Sequence, residues 1–113
     1  MRITTETRNG VAVLTLSGRL IFDDSLLSLR EHVRRLLDAG LRRFIMDLSE
    51  VSHCDSSGCG EIIGAYASIT KAGGAVAFLK PAERVRVLWT RIKLREVFSI
   101  FDTLPEAETF VRR

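Results

Sequence analysis

Three short apolar runs, separated by stretches of helical periodicity, most restrict the fold of this chain. They occupy residues 11–16, 44–48 and 75–79. Apolar runs of this length, bounded by polar residues, are typical of buried strands. The segments between them carry apolar residues at helical spacing. Strands that alternate with helices in this way predict an α/β layer fold with a central, mixed or mainly parallel sheet.

Further strands and four helices are predicted around these runs. Asn9-Gly10 is a typical hairpin turn that would pair residues 3–7 with residues 11–16, and residues 19–22 and 97–101 are predicted to form short strands. The helices are identified by caps, terminators or apolar stripes. These markers are Asp23 or Asp24 with Gly40, Asp55 or Ser56 with Gly73-Gly74 after about Ala72, the stripe Val85, Leu88, Trp89 and Ile92, and Thr103 with Glu106.

The composition restricts the function classes. A chain of 113 residues is long enough for one core and too short for two, so we expect a single domain over residues 1–113. The net charge is 17 − 14 = +3 and is scattered, which argues against direct nucleic-acid binding. No apolar run approaches the roughly 18 residues of a membrane span. We therefore expect a cytoplasmic protein without membrane insertion, in which Cys54 and Cys59 are reduced.

The hexapeptide Asp55-Ser56-Ser57-Gly58-Cys59-Gly60 is the strongest candidate for a functional site. It is predicted to be a polar turn between a buried strand and a helix. In α/β sheets, sites usually lie on loops beyond the carboxyl ends of the strands. The turn would place two hydroxyls and a carboxylate at a helix N-terminus, where backbone N–H groups and the helix dipole stabilise anions.

Enzymatic roles for this segment find little support. A nucleophilic serine requires a general base and an orienting group, and the histidines are His32 and His53. His53 adjoins the segment but has no evident third partner, and the Gly-x-Ser-x-Gly elbow of hydrolases is absent. The pattern does not predict an enzyme.

Metal and nucleotide binding are also disfavoured. His53, Cys54, Asp55 and Cys59 form one cluster, whereas structural zinc usually draws on paired motifs from two separate places. Small residues packed near the core explain the cysteines better. The Gly-x-x-x-x-Gly-Lys-Ser/Thr loop that binds nucleotide phosphates is missing. We predict no cofactor.

Phosphoryl acceptance remains as a physically reasonable chemistry. The phosphoserine would be held by the N–H groups and dipole of the helix, so modification should not unfold the protein. A switch would instead act on a partner's surface. A stripe of small residues, Ser56, Gly60, Gly64 and Ser68, would allow a backbone to approach the helix closely. That backbone could belong to a partner or to a neighbouring element of this protein.

At these residues the chain resembles the STAS domain family, specifically the bacterial anti-sigma factor antagonists. The resemblance rests on the hexapeptide, on Gly64, on the preceding Ile45-Met46-Asp47-Leu48 and on residues 10–20, and it extends over essentially the whole chain. It implies a sheet of about four or five strands with about four helices, mainly on one side. It also implies a non-enzymatic phosphoprotein that acts by partner switching.

The resemblance further implies partners and site residues. The serine after the aspartate, here Ser56, would be phosphorylated by an anti-sigma factor that is also a serine kinase, and a serine phosphatase would reverse the reaction. The unphosphorylated form would bind the kinase and free a sigma factor, regulating transcription. The protein is expected to be a monomer or weak dimer. The docking surface implied for the partner comprises Asp23, Asp55, Ser56, Ser57, Gly58, Gly60 and Gly64.

One segment departs from the family pattern. Many antagonists carry Gly-x-Leu-Asp at the end of the second strand, whereas Gly18-Arg19-Leu20 continues here with Ile21. Asp23 and Asp24 follow two and three positions later. This departure leaves open an alternative, a STAS interaction subunit that is not phosphorylated, such as a stress-complex scaffold or a subunit of transport machinery.

Overall fold

The structure is a computed structural model and describes residues 1–21 and 27–113. Within these residues the chain forms five strands and four helices, in the order β1 (Arg2–Arg8), β2 (Val11–Leu20), α1 (Leu27–Asp38), β3 (Arg43–Cys54), α2 (Ser56–Lys71), β4 (Ala75–Leu79), α3 (Glu83–Arg91), β5 (Ile100–Phe101) and α4 (Leu104–Val111). The predicted helix caps Asp23 and Asp24 lie outside the described residues.

The five strands form one mixed sheet in the order β1-β2-β3-β4-β5. β1 pairs antiparallel with β2 through the predicted hairpin turn, where Asn9 and Gly10 have φ values of 51° and 81°. Positive φ at both central residues gives a turn whose twist matches that of the strands. The pairs β2–β3, β3–β4 and β4–β5 are parallel. The predicted α/β class and hairpin are confirmed.

Side chains that alternate along the strands divide the core into two layers. One face of β2, β3 and β4 packs against α1, α2 and α3 through buried residues that include Leu14, Met46, Phe78, Leu29, Ile62 and Trp89. The opposite face packs against α4 through Val11, Ile45, Ala77, Leu79, Ala107 and Val111. Both faces of the parallel strands are therefore covered, which explains their nearly continuous apolar sequences. Three of the four described helices lie on one side, as predicted.

The β2–β3 pair is longer than predicted. Of the strand predicted at residues 19–22, residues 19 and 20 continue β2, and Phe22 lies outside the described residues. β3 extends past residue 48 to Cys54. The register shifts twice, so that β3 holds one more residue than β2 between successive paired positions. At the first shift the Asp47 carboxylate accepts hydrogen bonds from the Ser49 backbone N–H at 3.0 Å and from its hydroxyl at 2.8 Å. Bulges of this kind interrupt the apolar alternation, which hid the extension from sequence reasoning.

Two elements near the C-terminus are shorter than predicted. α3 ends at Arg91, and Ile92 is 46% exposed instead of buried. Lys93 then adopts a left-handed conformation with φ of 62°, and a short 3-10 turn follows at Leu94–Glu96. β5 consequently includes only residues 100 and 101 of the predicted strand at 97–101.

Candidate functional site

The hexapeptide lies at the carboxyl end of the two longest strands. Leu20 of β2 and Cys54 of β3 face each other in the last pair of the register. The next residue, Asp55, donates its backbone N–H to the Leu20 carbonyl at 3.0 Å, and α2 begins at Ser56. The segment was predicted to be a turn. Only Asp55 is outside the helix, because the extended β3 delivers the chain directly to the start of α2.

Asp55 is the helix cap. Its backbone is extended, with φ of −98° and ψ of −176°, and its Oδ1 accepts the Gly58 backbone N–H at 2.8 Å. Its carbonyl accepts the Cys59 N–H at 2.9 Å, which is the first hydrogen bond of the helix. Asp55 therefore holds both the strand end and the helix start. The sequence left Asp55 and Ser56 as alternative caps, and the structure shows that the cap is Asp55.

Ser56 and Ser57 occupy the first two positions of α2. The Ser56 side chain is exposed, and that of Ser57 is half-buried. The first turn of α2 contains no acidic residue. The backbone N–H groups at these two positions have no acceptor within the helix, so the dipole and the N–H groups favour an anion at this end. Of the two hydroxyls, that of Ser56 is the more accessible to a modifying enzyme.

The glycines of α2 have different surroundings. A Cβ on Gly58 would lie 2.1 Å from the Leu20 carbonyl oxygen, so only glycine lets the helix approach β2 this closely. A Cβ on Gly60 would meet no described atom within 4 Å, and Gly60 is exposed. Gly58 is buried and faces the sheet, whereas Gly60 faces outward on the side of Ser56. The spacing in the sequence could not separate these two roles.

The small-residue stripe is partly covered by α1. A Cβ on Gly64 would lie 3.4 Å from the Arg30 guanidinium, and this guanidinium also forms an ion pair with Glu61 at 3.3 Å. The close approach at Gly64 is therefore made by a neighbouring helix of the same chain. Ser56, Gly60 and Ser68 are exposed. Asp23, the remaining residue implied for the docking surface, lies outside the described residues.

The structure also locates the residues that were considered for catalysis and for metal binding. His53 is exposed on β3, and its Nδ1 lies 3.1 Å from the Ser52 hydroxyl, which itself donates to the Gly18 carbonyl at 3.3 Å. His53 therefore contacts Ser52 rather than a hydroxyl of the hexapeptide. His32 is half-buried on α1. Across residues 1–21 and 27–113, no three Cys, His, Asp or Glu side chains converge in a way that could hold a metal ion.

Comparison with known proteins identifies the family. The model of the STAS domain matches residues 2–107, so the chain belongs to the STAS domain family. A Thermotoga maritima protein named as a candidate anti-sigma factor antagonist is 29% identical over 103 residues, covering 91% of each chain. The anti-sigma F factor antagonist of Paenibacillus polymyxa is 29% identical over 114 residues, covering 96% of this chain and 93% of its own.

Solved structures agree with the fold. A crystal structure of a Thermotoga maritima protein, also described as a candidate anti-sigma factor antagonist, superposes with a TM-score of 0.85 at 25% identity, covering 98% of this chain and 95% of its own. The unphosphorylated form of the anti-sigma factor antagonist SpoIIAA superposes with a TM-score of 0.83 at 23% identity, covering 98% and 96%. None of the helices in the described residues is both long and apolar enough to cross a membrane.

Proposed function

We propose that this protein is an anti-sigma factor antagonist that is switched by phosphorylation of Ser56. The unphosphorylated form binds an anti-sigma factor that is also a serine kinase, and a sigma factor is thereby released to regulate transcription. A serine phosphatase restores the unphosphorylated form. The protein is the substrate of this chemistry and not a catalyst. The names of its relatives support the general role, and the position of Ser56 supports the switch.

The observation that carries the proposal is the exposed Ser56 hydroxyl on the first residue of α2, directly after the capping aspartate. A phosphoryl group at this position would add close to two negative charges near the positive end of the helix. The folded state tolerates such a charge because the N–H groups and dipole of the first turn offset its repulsion by the Asp55 carboxylate, and the first turn itself holds no acidic residue. The modification therefore leaves the fold unchanged and alters the surface.

A phosphoryl group on Ser56 would be unfavourable for partner binding, although the fold tolerates it. The docking surface that we propose comprises Asp55, Ser56, Ser57, Gly58 and Gly60, together with Gly64 and Asp23. Within it, Gly60 allows a close approach because nothing described lies above its Cα. A phosphoryl group beside such a contact must be desolvated and repels an acidic partner surface, so it weakens the complex. Asp55, adjacent to Ser56, adds further negative charge.

Intact-mass spectrometry with site mapping, on protein recovered from its own cells during growth and under stress, tests the proposal. We expect one phosphoryl increment, located on Ser56, whose occupancy changes with the condition. Ser56→Ala should abolish it, whereas the matched control Ser57→Ala should retain it. A phosphoryl group found on Ser57, or one that persists in Ser56→Ala, would show that Ser56 is not the acceptor.

Partner recovery provides the second test. Wild-type protein and Ser56→Ala should co-purify an anti-sigma factor with a serine kinase domain, and Ser56→Asp should recover much less of it. If all three recover the same partner equally and no phosphoryl group is found, the protein is a constitutive STAS interaction subunit. The recovered partner would then define its function.

A further inference from the structure

Two thiols that the proposed function does not use meet directly beneath the start of α2. The Sγ atoms of Cys54 and Cys59 are 3.2 Å apart, and both cysteines are free. Cys54 is the last residue of β3, and Cys59 is the fourth residue of α2. The sequence places the two cysteines on either side of the predicted turn, and a disulfide across it was not expected in a reducing compartment. It arises because Asp55 turns the chain from the strand into the helix within one residue.

The separation of the two sulfurs is short for thiols in mere contact and long for a disulfide bond, whose length is about 2.05 Å. Closing the remaining gap requires only a movement of about 1 Å, well within what side-chain rotation at two neighbouring cysteines supplies. The Cys54 thiol also approaches the Asp55 carbonyl at 3.6 Å. The pair is therefore placed for bond formation without separating β3 from α2.

The surroundings of the two sulfurs differ. Cys59 is buried in the core, whereas Cys54 is half-buried and offers the access route from solvent. Hydrogen bonding to Cys54 lowers the pKa of Cys59 despite the opposing effect of burial, and the Trp89 indole N–H acts in the same direction as Cys54. Hydrogen bonding to Cys59 and burial both raise the pKa of Cys54. Within the described residues, Trp89 Nε1 has no conventional acceptor, which leaves this buried donor available to a thiolate.

We infer that Cys54 and Cys59 are a site of oxidative modification, at which peroxides form a reversible intramolecular disulfide between the end of β3 and the first turns of α2. Neither cysteine is assigned a role in the proposed function, and the inference stands independently of phosphorylation. The disulfide would enclose Asp55, Ser56, Ser57 and Gly58 in a small covalent ring. Oxidation would thus restrain the same surface that carries Ser56.

The chemistry proceeds in two balanced steps. The Cys59 sulfur, the more readily deprotonated of the two, attacks hydrogen peroxide that enters past Cys54, an S–O bond forms as the O–O bond breaks, and one water leaves with formation of a sulfenic acid. The Cys54 sulfur then attacks the Cys59 sulfur, an S–S bond forms as the S–O bond breaks, and the hydroxyl leaves as a second water with the Cys54 proton. The two thiols lose two electrons and two hydrogens in total, and one peroxide is reduced to two waters.

The test is to treat the folded protein with hydrogen peroxide and to follow its mass, its free thiols and its cleavage pattern. We expect the mass to fall by two hydrogens, both thiols to be lost from titration after denaturation, and dithiothreitol to restore them. Cleavage before Asp55 separates the two cysteines, so the fragments ending at Cys54 and beginning at Asp55 should remain joined until reduction. The chain should stay monomeric on a non-reducing gel.

Single variants serve as matched controls. Cys54→Ser replaces a half-buried residue and should keep the fold, so peroxide should no longer remove two hydrogens from this variant. Cys59→Ala provides the same test from the buried side. The inference is overturned if wild-type protein retains two titratable thiols after peroxide, if its disulfides are only between chains, or if oxidation stops at separate sulfenic or sulfinic acids. The wild-type fragment pattern gives this answer even if a variant fails to fold.

Discussion

Two helix N-termini of this protein have similar caps but different capacities for an added anion. At the β3–α2 junction, Asp55 accepts the Gly58 N–H, and at the β5–α4 junction the Thr103 hydroxyl accepts the Glu106 N–H at 3.3 Å. At α4, the Thr103 hydroxyl also donates to the Glu106 carboxylate at 2.8 Å, so the cap predicted at Thr103 is confirmed and Glu106 bonds its hydroxyl. The anion at α2 is therefore the cap itself, and the first turn after it contains two hydroxyls, whereas at α4 the cap is neutral and the anion lies within the first turn.

The difference shows how a helix start can become a site for modification. A carboxylate in the first turn uses the favourable field of the dipole and would repel a phosphoryl group. Pro105 in the first turn of α4 also lacks an N–H group, which removes one potential donor. At α2 these features are absent and Ser56 is exposed. The capping hydrogen bond supplies stability at both junctions, and the α2 start adds an exposed hydroxyl at a position where the backbone N–H groups have no acceptor within the helix.

The largest expected effect concerns the packing that places α2 against β2. Gly58→Ala would put a methyl group 2.1 Å from the Leu20 carbonyl, so the helix start must move away from the sheet. We expect the free energy of unfolding to fall by about 3 kcal/mol, at the upper end of overpacking effects. Urea denaturation measures this loss. A loss below about 1 kcal/mol would mean that the junction rearranges easily and that Gly58 is not required for packing.

Removal of each cap compares the junctions directly. Asp55→Ala and Thr103→Ala should each lower the free energy of unfolding by about 1 kcal/mol, because each leaves one first-turn N–H group without its side-chain acceptor. Denaturation of both variants measures this. Only Asp55→Ala should also reduce phosphorylation of Ser56. Equal phosphorylation of the two variants would show that a capped α2 start is unnecessary for recognition.

A charge placed at each end of α2 tests the field of the helix. Ser56→Asp should raise the free energy of unfolding by about 0.5 kcal/mol, and Thr70→Asp, in the last turn, should lower it by a similar amount. Both shifts should shrink in 1 M salt, since exposed charges are screened. Thermal unfolding of both variants at low and at high salt measures the change in the free energy of unfolding under each condition. A destabilising Ser56→Asp would contradict the argument that phosphorylation leaves the fold intact.

The outward Gly60 is expected to respond to substitution in the opposite direction to the packed Gly58. Gly60→Ala adds a methyl group with no described atom within 4 Å, and alanine is the better helix former. We expect a gain of about 0.5 to 1 kcal/mol in the free energy of unfolding. Recovery of the proposed partner should nevertheless decrease, because the methyl group occupies the surface of close approach. Stability and binding should therefore change in opposite directions, and parallel changes would place the docking surface elsewhere.

Much of the fold could be predicted because its signals are local. The runs that became β2, β3 and β4, the hairpin turn at Asn9-Gly10 and the helix cap at Thr103 depend on nearby residues and on the period of the apolar pattern. The bounds of β4 were predicted without error. The extension of β3 was missed because its second half is polar and bulged, and Val51 alone of its last six residues is buried.

The candidate site was also predicted only in those features that depend on neighbouring residues. Its six residues were identified from sequence because hydroxyls, a carboxylate and glycines follow an apolar run. The different surroundings of Gly58, Gly60 and Gly64 were not evident, because a glycine in a sequence does not show which atoms will pack against it. The sequence placed Cys54 and Cys59 on either side of the turn, but direct contact of their sulfurs was not evident because it depends on the angle at which α2 leaves β3.

The sequence by itself determined the alternation of strands and helices, the presence of a cap before α2 and the chemical groups available at its start. These follow from backbone preferences and apolar periodicity, which act over a few residues. The tertiary structure decided which hydroxyl faces solvent, which glycine touches the Leu20 carbonyl and which sulfurs meet. These depend on distances between segments far apart in the chain or on opposite sides of a turn, and only packing of the whole core sets those distances.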